Sequence, residues 1–95
     1  MITHIVLIKL KQPSAENMAT AVNKIRAMAD KIPILQSLEV GQDVIRSTRS
    51  YDIGLIARFN NLDDLQTYQT HPVHVPVLEH IRNVMDSVIA VDYES

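Results

Sequence analysis

Ile2-Thr-His-Ile-Val-Leu-Ile-Lys-Leu10 is the stretch whose reading decides the fold. It is rich in β-branched residues, and a period of two puts Ile2, His4, Val6, Ile8 and Leu10 on one face with Ile5 and Leu7 on the other. Both faces are apolar. Tyr51 to Phe59 repeats the pattern: Tyr51, Ile53, Leu55, Ala57 and Phe59 share a face, while Gly54 and Ile56 lie opposite beside Asp52 and Arg58. A sheet built on such strands needs apolar cover on both sides.

Outward from these strands the chain alternates its periods. After Pro13, Ser14 is placed to cap a helix and Glu16 suits its first turn. Met18, Val22, Ile25, Met28 or Ala29, and Ile32 then recur every three or four residues. The spacing predicts one amphipathic helix of about four to five turns, stopped by Pro33. Leu35 to Val44 reads as a strand with a bulge or bend at Gly41, and the polar run Arg46 to Ser50 as a hairpin connection. Asn61 is placed to cap a short helix carrying Leu62, Leu65 and Tyr68, which Pro72 ends near His71. A further helical piece starts near Val73 or His74 with Val77, Leu78, Ile81 and Val84 on its apolar face. Met85 to Tyr93 is the last strand, with Val88 and Ala90 opposite Ile89, Val91 and Tyr93.

Strand, helix, strand, strand, helix, strand is the ferredoxin-like βαββαβ order, an α+β class with an antiparallel four-stranded sheet and helices on one face. Residues 1–95 form one domain. Helices cover one side only, so the apolar far side calls for a second copy packed sheet to sheet about a twofold axis, a homodimer. Two twisted sheets meeting this way enclose a barrel-like chamber. The size of the chain points the same way, because a domain this small buries only about two thirds of its unfolded surface and usually needs a disulfide, a metal or a partner. With no cysteine, the disulfide and any thiolate zinc site are excluded.

Composition excludes other classes. The net charge of −2 and nine scattered Lys and Arg residues, with one Phe, three Tyr and no Trp among them, do not make a nucleic-acid surface. No stretch reaches the length of a membrane span, and the opening residues lack a basic region and a small-residue cleavage site, so a cytoplasmic location is expected. Neither a glycine-rich phosphate loop nor a nucleophile elbow occurs, and any catalysis is expected to need no cofactor.

The residues able to do chemistry cluster. His71, His74 and His80 fall in the run Tyr68-Gln-Thr-His-Pro-Val-His-Val-Pro-Val-Leu-Glu-His80, and His4 stands among apolar neighbours on the first strand. At the start of a helix, or buried, His74 is held neutral and able to act as a base near neutral pH. Tyr68, three residues before His71 on the apolar face of its helix, can donate to a developing oxyanion. His71-Pro72 at a helix break equally serves as a cap, and His4 and Tyr68 equally serve as bonded core residues. His80 reads as solvent-facing. Pro72 interrupts the spacing between His71 and His74, so no metal site is expected.

His4-Ile-Val-Leu-Ile-Lys-Leu10, Ile32-Pro33, Val40-Gly41-Gln42-Asp43 and Tyr68-x-x-His71-Pro-x-His74-Val, in this order and spacing, resemble the stress-responsive α/β-barrel (Dabb) family nearly end to end. The resemblance implies a ferredoxin-like protomer and a dimeric α+β barrel. It implies polyketide-cyclase-type acid–base chemistry with His74 as the catalytic base and Tyr68 beside it, and it places His4 in the pocket lining. Val6 and Ile8, on the strand face of His4, and His71 complete the expected substrate-binding set. The first helix carries Ala21-Val-Asn-Lys-Ile25 where a cyclase of that family has aromatics, so the cavity is shaped for another compound. Three readings stand at this point. They are a cofactor-free enzyme acting on a small, partly apolar carbonyl or phenolic compound, a non-catalytic stress-related ligand-binding dimer, and a cofactor-free monooxygenase of a related dimeric barrel type.

Overall fold

β1 (Ile2–Leu10) runs through the middle of the sheet because both of its edges are paired. It lies antiparallel to β3 (Ile53–Phe59) on one side and to β4 (Met85–Glu94) on the other. β2 (Ser37–Gln42) pairs with β3 and completes the order β2-β3-β1-β4. The three helices, α1 (Ala15–Arg26), α2 (Leu62–Gln69) and α3 (His74–Val84), pack on one face, which gives the ferredoxin-like α+β fold expected from the sequence. The structure is a computed structural model that describes residues 1–95.

Between sheet and helices lies the core. The even face of β1 and the odd face of β3 supply Ile2, Ile8, Leu10, Ile53, Leu55, Ala57 and Phe59, all buried, against Met18, Ala21, Val22 and Ile25 of α1. Asn61 Oδ1 accepts from the Asp64 N–H at 2.9 Å and so satisfies one of the unpaired donors that open α2. Asn61→Ala is expected to cost about 1 kcal/mol and to lower Tm by roughly 4–8 °C in a thermal melt at fixed protein concentration.

The structure corrects the expected elements at several points, and β2 and β3 begin at Ser37 and Ile53 rather than Leu35 and Tyr51. α1 stops at Arg26, and the chain continues in i→i+3 turns, Met28 N–H to the Ile25 carbonyl and Lys31 N–H to the Met28 carbonyl at 3.1 Å each. Met28 and Ile32 are nevertheless buried, because apolar spacing of three or four suits α and 3₁₀ winding alike. Gly41 makes no bulge and has no positive φ. It pairs in register with Gly54, and the register shift falls instead between Lys9 and Leu10 opposite β4. β2 ends at Gln42 rather than Val44, since Asp43 turns the chain out of the sheet by accepting the Arg46 N–H at 2.7 Å, with Arg46 in the left-handed region at φ 58°.

On the far side of the sheet Ile5, Leu7, Ile56, Ile89, Val91 and Tyr93 form a continuous apolar surface. In the single protomer Leu7 is 37% exposed, Ile89 49% and Val91 53%. The Gly41–Gly54 pair leaves a trough of about 510 Å³ in that surface. Aspartate at both Leu7 and Val91 is expected to raise the Kd of a dimer formed across this face by roughly 10³-fold or more, because each copy would bury uncompensated charges. Sedimentation velocity over a concentration series reads this out. A doubly substituted chain that sediments like the wild type would show that the face is not the interface.

Candidate active site

His4 and Asp92 are direct partners in the β1–β4 ladder, so both side chains stand on the helix-covered face. His4 Nδ1 is hydrogen-bonded to Asp92 Oδ1. A carboxylate only accepts, so the ring gives it Nδ1–H and keeps Nε2 for other use. Tyr68, on the buried side of α2, lies with its ring centroid 4.9 Å from Phe59, 4.1 Å from His74 and 6.3 Å, edge-on, from His4. Only 2% of Tyr68 is exposed, and burial pushes its phenol up to about 12, which keeps it protonated and a donor at neutral pH. The hydroxyl takes no protein partner, yet no buried side-chain oxygen is left sealed without one. It therefore opens on the adjoining cavity.

His74 begins α3 and is buried. Its Nδ1 lies 3.3 Å from the Gln69 carbonyl oxygen, which can only accept, so Nε2 carries the lone pair. Burial is the main cause that holds this imidazole below its ordinary value. The Gln69 carbonyl acts in the opposite sense, while His4 and His71 add to the lowering. His74 is thus neutral at pH 7 with a free basic nitrogen.

These groups surround one end of a cavity of about 360 Å³ between the sheet and the helices. Val6 and Ile8 of β1, Ile25 and Met28 after it, Leu78 and Ile81 of α3, and Met85, Val88 and Ala90 of β4 make its walls. Of the residues expected at a site, His4, Val6, Ile8, Tyr68 and His74 come together here. His71 does not line the cavity. Its Nδ1 accepts the Val73 N–H at 3.0 Å and its carbonyl accepts from His74 and Val75, so it caps the entry to α3. His80 is half-buried rather than solvent-facing and also lies off the cavity. The larger trough on the far face holds no imidazole.

Two findings depart from the sequence reading. The cavity with the expected residues lies between the sheet and the helices of one protomer, on the opposite side of β1 from the face expected to meet a second copy. Asp92, Gln69 and Arg82 also border the cavity and were missed. Asp92 had a signal: it interrupts the inward row Val88, Ala90 of an otherwise apolar strand, opposite His4.

The sequence model of the stress-responsive A/B barrel domain matches residues 2–95. The chain belongs to that family. Among curated proteins, a stress-response A/B barrel domain-containing protein of Arabidopsis thaliana is 30% identical over 95 residues, which are 98% of this chain and 36% of the plant protein. The A/B barrel domain described here thus spans about a third of that relative. Among solved structures, a dimeric ferredoxin-like protein of unknown function from Bacteroides fragilis is 33% identical with a TM-score of 0.83, covering 99% of this chain and 95% of that one. Hydroxynitrile lyase from Passiflora edulis shares the fold at 12% identity, TM-score 0.83, with 97% of this A/B barrel domain and 90% of the lyase covered. No helix of the domain is long and apolar enough to cross a membrane.

Proposed function

We propose that this A/B barrel domain is the protomer of a homodimeric, cofactor-free acid–base enzyme for a small, partly apolar carbonyl compound. One observation carries the reading: two imidazoles and a protonated phenol, each with a free polar atom, meet at one end of an apolar cavity. His74 Nε2 takes a proton from the carbon next to the carbonyl. The electron pair left behind moves onto the carbonyl oxygen, where the Tyr68 O–H donates to the charge. Asp92 fixes the tautomer of His4, which leaves Nε2 as an acceptor for a donor group of the ligand. Return of the proton from His74, to carbon or to an oxygen, closes the cycle. The occurrence of a hydroxynitrile lyase on this fold supports carbonyl chemistry here.

The apolar far face and the dimeric B. fragilis relative support the second copy, which buries about 800 Å² per partner if the interface has the usual size. Because the cavity lies within one protomer, the dimer serves stability and each copy carries a whole site.

A panel of alkyl and aryl methyl ketones in D₂O tests the chemistry. Exchange of the α-hydrogens above the uncatalysed rate, followed by proton NMR and lost in His74→Ala, is the expected result. Ketones that raise Tm without exchange would leave a ligand-binding dimer and remove the enzyme.

A further inference from the structure

We propose that Arg82 gives the cavity a cationic end opposite its imidazoles, and that the ligand is an amphiphile with a carboxylate at Arg82 and its reactive carbonyl at His74. This rests on the reading of the cavity as the ligand site.

Arg82 borders the cavity and takes part in none of the four ion pairs of the protein. Arg46, by contrast, is held by two aspartates. Arg82 follows His74 by eight positions on α3, so the two lie roughly 12 Å apart along the helix axis. α3 runs straight into β4, so Arg82 stands beside the first residues of that strand, while Asp92 stands near its far end with His4. Between them the cavity wall is apolar: Leu78, Ile81, Met85, Val88 and Ala90.

This layout orients an anionic ligand. Its charge is repelled from the Asp92 end and attracted to the guanidinium, which offers a planar fork matched to a carboxylate. The apolar chain then lies along α3 and carries the remote end of the molecule to His74 and Tyr68. Arg82 also complements the dipole at the end of α3. Arg82 is exposed, so its guanidinium stands at the mouth of the cavity, where water covers it until a ligand carboxylate takes its place.

Isothermal titration calorimetry with octanoate and 1-octanol on the intact protein tests the inference. Octanoate is expected to bind at least roughly tenfold tighter than the alcohol. Arg82→Gln is expected to equalise the two, and Arg82→Glu to reverse the order. Equal affinities in the wild type, or a carboxylate preference that survives Arg82→Glu, overturn the role of Arg82 and leave the cavity standing. If neither compound binds, the cavity is not the ligand site and both readings fall.

Discussion

His74→Ala lowers kcat/KM on a ketone turned over by this cavity by roughly 10²–10⁴-fold, the contribution of a positioned general base. The loss should appear in kcat, since the Nε2 lone pair acts on the departing proton and the apolar walls that hold the chain are untouched. Removing the ring also takes away its stack on Tyr68, so the same substitution costs about 1–2 kcal/mol of stability. His74→Gln separates the two effects, because its amide N–H can still reach the Gln69 carbonyl while offering no base. The pH profile adds a second check. Burial, the main cause, holds His74 below 6.5, so the unfolded chain takes up the proton first. The acid limb of kcat/KM therefore falls below pH 6.5. The stability contributed by the neutral ring is complete above that value and is lost as pH drops through the lower folded value. Full activity in His74→Gln, or an acid limb above 6.5, would remove His74 as the base.

Asp52→Ala is expected to give the largest loss of stability among single substitutions outside the apolar core, about 2–3 kcal/mol, or roughly 10–20 °C in Tm at fixed protein concentration. Asp52 is 3% exposed, and its Oδ2 accepts the Leu10 N–H at 2.7 Å while Oδ1 takes Arg46 at 2.7 Å. Truncation leaves the Leu10 N–H without a partner at the end of β1, and that orphaned donor supplies most of the cost. The Arg46 side chain is 42% exposed and recovers water, so its half of the pair contributes little. Asp52→Asn keeps an acceptor for Leu10 and should lose less than half as much. Burial alone raises the Asp52 carboxyl, but the Leu10 N–H and Arg46 outweigh it and hold the group below 3.8. Its contribution is accordingly present above about that pH and is lost on further acidification. A thermal midpoint within a degree or two of the wild type in Asp52→Ala would show that the Leu10 N–H finds another partner.

Much of this was legible in single residues. Ile5 and Leu7 beside Val6 and Ile8 announce a sheet covered on both sides, because no helix layer can reach both parities of a strand. That Tyr68 and His74 come side by side was legible, because the apolar face of α2 and the start of α3 meet where the helix breaks at Pro72. Asp92 was not, since its role exists only once β4 is registered against β1, and pairing across 88 positions cannot be read from local periodicity. The location of the cavity was misread for a related reason. The need for a partner sheet and the need for a pocket were both inferred from β1, and nothing in the one-dimensional pattern says that they belong to opposite faces. Gly41 misled because a glycine in a strand signals a bulge on average, whereas here it sits across from Gly54 and leaves a hollow in the far face.

β1 divides its labour by parity: its even-numbered side chains turn toward the helices and its odd-numbered ones away. A drift of sequence at one parity can reshape the cavity walls without disturbing the apolar far face, and the reverse holds for the other. The same arrangement makes the strand intolerant of frame. Loss of one residue between His4 and Ile8 would carry the imidazole out onto the greasy side and draw Thr3 into its place, so a single deletion there would disturb both faces of the sheet in one event.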